Sequence, residues 1–193
     1  MLLNGKRLIL GSNSPRRLEL LKGLDLDFVV DAQTSFEERV APSVPHKQVP
    51  VLMSEGKSLG FHRPLEKDEL LLTADTMVLL GKIILGKPRD EQDACRMLRL
   101  LSGRTHDVIT AVTLRSGEGA FKTLVDRSRV TFNELSKEEI HYYVEKYRPL
   151  DKAGAYGVQE WIGYIGIRAV EGSFYTVMGL PVHLVYALLK EFA

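Results

Sequence analysis

The chain has 193 residues, 45% of them hydrophobic, with 26 Lys+Arg against 25 Asp+Glu and a formal charge of +1. This is long enough and apolar enough for a sizeable core in one domain, or one domain of two lobes, and it excludes a disordered chain. The balance of charge excludes a globally basic surface for nucleic acid and an acidic tail, so any anion binding has to be local.

The first twelve residues, MLLNGKRLILGS, hold an apolar run that is too short and too interrupted by charge for a signal peptide. Within it, RLIL (7–10) predicts a short buried strand. Gly11 leads into a helix over about 15–23, with Ser14 as its cap, Pro15 in the first turn and Gly23 at its end. DFVVDA (27–32) predicts a second strand, and TSFEERVAPSVPHK a polar loop carrying Glu37 and Glu38. A helix follows over about 49–61, with Val49, Leu52, Gly56 and Leu59 on one face. ELLLTADTMVLLGKIILGKP (69–88) is the most apolar region. It predicts a strand, a break around Ala74–Thr76, and a hairpin turning at Gly81-Lys82.

Asp90 caps a helix that runs to about Leu101, with Gly103 just beyond it. Cys95 lies on that helix; as the sole cysteine it excludes an internal disulfide and reads as a packing residue. THDVITAVTLRS and FKTLVDRSRVTF predict two long strands joined by GEGA. SKEEIHYYVEKY predicts a helix opened by a capping box, Ser136 with Glu139. RPLDKAGAYGVQE is a glycine-bearing loop, YIGIRAVEGSFYTVMGL predicts two short strands, and Pro181 opens a last helix to Phe192. Parallel-type βα units alternate with hairpins, so the class is α/β with a mixed sheet. No run approaches the length of a membrane span, and the expected setting is the cytoplasm.

Five places carry groups that could do chemistry. Arg16 and Arg17 occupy a helix start, which already carries about half a positive charge. Arg17 stands where a capping box would put Glu or Gln. With Ser12 and Ser14 beside them, the pair is either a fork-shaped anion site or two solvated surface charges, and spacing alone leaves both readings open. Asp75 sits between two apolar runs; a carboxylate there needs a cation, a metal or a proton, unless it is a plain turn residue. Lys87 follows a strand end, and Lys57 lies on a helix among small residues. In DKAGAYGVQE (151–160), small residues allow close backbone approach to a ligand. The amide of Gln159 there could read a base edge. The five histidines are scattered without metal-ligand spacing, and no Ser-His-Asp or Cys-His arrangement emerges.

Taken together, GSNSPRRLELL, TADTMV, GKPRDEQDACRMLRLLSGRTHDVITAV, DKAGAYGVQ and GSFYTVMGLP resemble the Maf family of nucleoside triphosphate pyrophosphatases, from about residue 7 to the C-terminus. The resemblance implies a single Maf-like domain over 1–193, similar to inosine triphosphate pyrophosphatases, with two lobes flanking a deep groove and a homodimeric assembly. It implies cleavage between the α and β phosphates of a nucleotide, with Mg²⁺ or Mn²⁺. Matched by motif, Asp75 is the general base and a metal ligand, and Glu38, rather than Glu37, is the loop glutamate that helps hold the metal. Arg16 and Arg17 bind the triphosphate with Ser12, and Lys57 and Lys87 complete the set. DKAGAYGVQ resembles the branch acting on dTTP and UTP, in which Arg16, Thr76 and Gln159 match specificity positions. The alternatives are a pyrophosphatase for a methylated purine nucleotide, as in the family's 7-methyl-GTP branch, and a non-catalytic, nucleotide-binding regulator of septum formation.

Overall fold

The computed structural model describes residues 3–41 and 43–192. Strand β1 (Arg7–Leu10) crosses over through helix α1 (Pro15–Lys22) to β2 (Phe28–Val30), which lies parallel to it with Leu8 opposite Phe28. On its other side β1 pairs in parallel with β3 (Glu69–Leu80), Leu10 against Leu72. Leu8, Ile9 and Leu10 are all buried, as expected of a parallel strand covered on both faces. At Gly81-Lys82 the chain turns back into β4 (Ile83–Leu85), with Leu80 opposite Ile83. β5 (Thr105–Ser116), β6 (Phe121–Phe132) and β7 (Ile167–Glu171) complete a seven-stranded sheet of order β2-β1-β3-β5-β6-β7, with β4 paired to β3 off that path. β6 and β7 are antiparallel, so the sheet is mixed, in the expected α/β class.

The remaining helices are α2 (Val49–Leu59), α3 (Glu91–Leu101), α4 (Lys137–Tyr147), α5 (Trp161–Gly166), α6 (Phe174–Met178) and α7 (Val182–Phe192). Two caps form as predicted, because they depend on residues three apart. The Asp90 side chain accepts from Asp93 N at 2.8 Å, and Ser136 and Glu139 close a reciprocal capping box.

The chain folds as two compact units. The first runs to Asp75, takes in Thr110–Asp126 and resumes at Gly179; the second is Thr76–Ile109 with Arg127–Met178. Fully buried Leu21, Leu70, Leu72, Leu188 and Leu189 lie in the first, and Leu85, Leu98, Leu101, Phe132 and Tyr143 in the second.

Several expectations are corrected. No break occurs at 74–76: β3 is one strand of twelve residues, buried throughout except at the half-buried Asp75 and Thr76. The turn preference of Asp yields to strand pairing on both sides of it. The second strand covers only Phe28–Val30 instead of 27–32. α2 does not bury Leu52 and Leu59; Leu59 is 65% exposed, and Pro50, Met53, Ser54 and Ser58 face inward. Hydrogen bonds set that face. Ser54 Oγ donates to Thr73 O at 3.2 Å, Thr73 Oγ1 donates to Ser54 O at 2.8 Å, and Ser54 and Thr113 hydroxyls meet at 2.8 Å. Residues 161–178 form helix, strand, helix instead of two strands. The β-forming Trp, Ile and Tyr of WIGYIG go helical because Ile162 packs inward and Trp161 lies edge-on to Tyr142, tertiary contacts overriding propensity. Cys95 is half-buried on α3, and burial pushes its thiol pKa up.

Candidate active site

In the first unit the site grows out of the turn between β1 and α1. Gly11 N donates to Leu72 O at 2.8 Å, extending the strand pairing by one step. The chain then bends at Ser12, whose buried hydroxyl accepts from Ser14 N at 3.2 Å. Ser14 itself makes no side-chain cap bond, so the expected cap is replaced by a hydroxyl turn two residues earlier.

The structure separates the two arginines that the sequence treats alike. Arg17 reaches back to the main chain, with Nε donating to Gly179 O and Nη1 to Ala74 O, both at 2.9 Å, and Nη1 lying 3.4 Å from Ser12 Oγ. It therefore ties α1 to β3 one residue before Asp75. Burial pushes its pKa down and the charge of Arg16 adds to that; Asp75 and Glu38 oppose it. Arg16 stays half-buried, within the same electrostatic neighbourhood.

α2 delivers Lys57, in its last turn, to the same place. Lys57 Nζ donates to Asp75 Oδ1 at 2.6 Å and pairs with Glu38 Oε1 at 3.0 Å. The side chains of Lys57 and Asp75 are 17% and 18% exposed, and that of Glu38 is 56% exposed. Glu37 points elsewhere, to Arg39 at 3.1 Å, so Glu38 is the glutamate brought to Asp75. Two carboxylates converging on one ammonium make a hard-oxygen pair of the kind that holds Mg²⁺ together with waters and substrate phosphates. Among the described residues no group of three or more His, Cys, Asp or Glu could hold a metal by protein ligands alone.

In the second unit, Thr76 follows Asp75 on β3 and is half-buried, while Lys87 is exposed just past β4. Gly86 O, beside Lys87, accepts from Gly154 N at 3.1 Å. Gly154 has φ +72° and lies against Val78, a close approach that suits glycine. This joins the 151–160 loop to the end of β4. The loop is held from below by a buried polar group that sequence reading missed. Lys152 pairs with Asp151 at 2.8 Å and Glu160 at 3.2 Å, and Tyr143 donates to Glu160 while accepting from Gly157 N at 3.0 Å. Burial, and then the Glu160 carboxylate, push the Tyr143 pKa up. Gln159 rides on this loop, and its Oε1 is buried without a partner among the described residues. Tyr143 looks like packing in sequence; the only signal for its polar role is the Lys and Glu that bracket the loop.

A family model described as Maf-like protein matches residues 7–192. The chain belongs to the Maf-like family. Among its Maf-like relatives, a dTTP/UTP pyrophosphatase of Porphyromonas gingivalis strain W83 is 50% identical over 188 residues, covering 96% of this chain and 94% of that protein. A dTTP/UTP pyrophosphatase of Bacteroides thetaiotaomicron is 47% identical over 185 residues, covering 96% and 95%. Among solved structures, the Ham1 protein of Staphylococcus aureus superposes with a TM-score of 0.52 at 14% identity, over 97% of this chain and all of that one. At that identity the likeness is one of fold. No helix among the described residues is long and apolar enough to cross a membrane.

Proposed function

We propose that this Maf-like chain hydrolyses dTTP and UTP to the monophosphate and pyrophosphate. The observation that carries the reading is the Lys57 ammonium between Asp75 and Glu38, with Arg17 anchored one residue from Asp75. In a protein of net charge +1, these groups concentrate cations where a polyphosphate needs them. Arg16, Arg17, Lys57 and the Ser12 turn hold the phosphates in the first unit. Their charge stabilises the transition state of phosphoryl transfer more than the ground state, which is where most of the rate gain arises. Asp75 takes the proton of the water that opens the α–β anhydride, and the leaving group departs as pyrophosphate. Glu38 and Asp75 would hold a divalent cation, Mg²⁺ or Mn²⁺, which supplies further charge neutralisation on the phosphate oxygens. In the second unit, Lys87 is a further phosphate cation, and Thr76 and Gln159 are base-selecting residues. The buried Gln159 Oε1, without a partner among the described residues, supports that role, since uracil and thymine offer an N–H to an acceptor. The proposed setting is cytoplasmic, and the proposed assembly is a homodimer, without nucleic-acid or membrane partners.

A panel of triphosphates tests this, with products separated after incubation with Mg²⁺ or Mn²⁺. The expected result is monophosphate and pyrophosphate in equal amounts, fastest from dTTP and UTP. Binding without turnover would make the chain a nucleotide-responsive regulator, and preference for 7-methyl-GTP would move it to the other branch.

A further inference from the structure

Gly56 looks out of place in the middle of α2, where glycine costs about 1 kcal/mol relative to alanine. The structure gives it a use. A Cβ at position 56 would overlap the ring of Phe36, and one at Gly60 would fall 2.9 Å from both Phe36 Cβ and Phe36 N. The two glycines, one helical turn apart, leave a bare notch on α2, and the half-buried Phe36 lies in it. Hydrogen bonds hold the same stretch of loop to the end of the helix. Ser35 N donates to Gly60 O at 2.8 Å, and Thr34 Oγ1 to Lys57 O at 3.4 Å. Lys57 is the residue after Gly56, and Glu38 comes two residues after Phe36, within about 7 Å of chain. The ring and these hydrogen bonds hold the loop where Glu38 reaches Lys57 Nζ at 3.0 Å.

We propose that Phe36, seated on Gly56 and Gly60, is a positioning residue that latches the 34–38 loop to α2 and so sets the Glu38 carboxylate against Lys57 and Asp75. This rests on the reading of Glu38 as a metal-holding residue. Glu38 is 56% exposed on a polar loop, and without an anchor such a carboxylate would lose affinity to the entropy of ordering the chain. With the anchor, that ordering is complete before a metal or a substrate arrives.

The test uses the whole protein with three changes: Phe36→Ala, Gly56→Ala and the two combined. Hydrogen exchange of peptides covering 33–41, in metal-free protein, reads the latch directly. Mn²⁺ titration by water-proton relaxation reads its consequence. Expected are at least fivefold faster exchange in that segment and at least fivefold weaker Mn²⁺ binding for either single variant, with kcat at saturating metal within twofold of wild type. A merely structural residue would not divide its effect between metal affinity and kcat in this way. In the double variant, Gly56→Ala should add nothing to Phe36→Ala, because no ring remains to be displaced. Thermal melting separates loss of the latch from loss of the fold. Unchanged exchange and unchanged Mn²⁺ affinity in Phe36→Ala, with Glu38→Gln weakening Mn²⁺ binding, overturns the latch and leaves the reading of Glu38 intact. Mn²⁺ affinity unchanged in Glu38→Gln overturns that reading instead, and the exchange result still decides the latch.

Discussion

At the scale of single residues, the Lys57 ammonium organises the first unit's site. It pairs with both Asp75 and Glu38, and keeps Glu38 when Asp75 is made neutral, so Asp75→Asn should keep the fold and lose turnover. We expect kcat for dTTP to fall by about 10²–10⁴, the usual contribution of a positioned base, with a melting temperature near wild type. Full activity in a pyrophosphate-release assay would remove Asp75 from its role. The arginines should behave differently from each other. Arg16→Ala should raise KM and lower kcat/KM for dTTP with little change in melting. Arg17→Ala removes the donors to Gly179 O and Ala74 O, and should lower the melting temperature by several degrees besides its loss of activity, since each net hydrogen bond lost costs on the order of 1 kcal/mol. Equal melting temperatures for the two variants would contradict this division. That difference was not legible in PRRLELL, because both carbonyls that hold Arg17 come from distant segments. The choice of Glu38 over Glu37 came from the family pattern alone; in the structure Glu38 reaches Lys57 while Glu37 turns to Arg39.

At the scale of elements, most features written in near neighbours were legible, the Ser14 cap excepted, and features set by a distant segment were not. The capping box of α4 belongs to the first kind. Ser136→Ala leaves Glu139 N without its 3.1 Å partner and should destabilise the protein by about 1 kcal/mol in urea unfolding, with kcat unaffected. β3 belongs to the second kind. Its local sequence suggests a turn at Asp75, yet pairing on both sides keeps it extended. α2 shows the same limit: an apolar stripe suggested one face, while the hydroxyls of Ser54, Thr73 and Thr113 chose another. Hydrophobic periodicity gives no weight to a serine whose partner lies on a strand about twenty or sixty residues away.

At the scale of the molecule, a pH dependence follows from one buried side chain. His106 packs on Phe132, and its Nε2 meets the Tyr156 hydroxyl at 2.7 Å. Burial lowers its pKa from 6.5 to about 4, so the folded protein holds it neutral where the unfolded chain would protonate it. The unfolded state then binds the extra proton, and stability rises with pH across that window. The stabilisation is complete above about pH 6.5 and is lost progressively as pH falls toward 4. At ~1.4 kcal/mol per pH unit it amounts to about 3 kcal/mol at most. The melting temperature should therefore fall between pH 7 and 4.5, and His106→Gln should flatten that fall; an equal slope in the variant would assign the acid sensitivity to carboxylates alone.

The sequence by itself determined the α/β class, the strand–turn–helix that presents Arg16 and Arg17, the hairpin, the caps of α3 and α4 and, through five ordered segments, the family. Each of these is encoded in near neighbours or in ordered motifs, and so survives without coordinates. Only the tertiary structure decided which arginine is tied to the main chain, which face of α2 is buried, that Asp75 lies within an unbroken strand, and that Phe36 occupies the notch of Gly56 and Gly60. Those outcomes depend on which atoms meet across long stretches of chain, and a carbonyl or an aromatic ring acquires its partner only when the chain has folded.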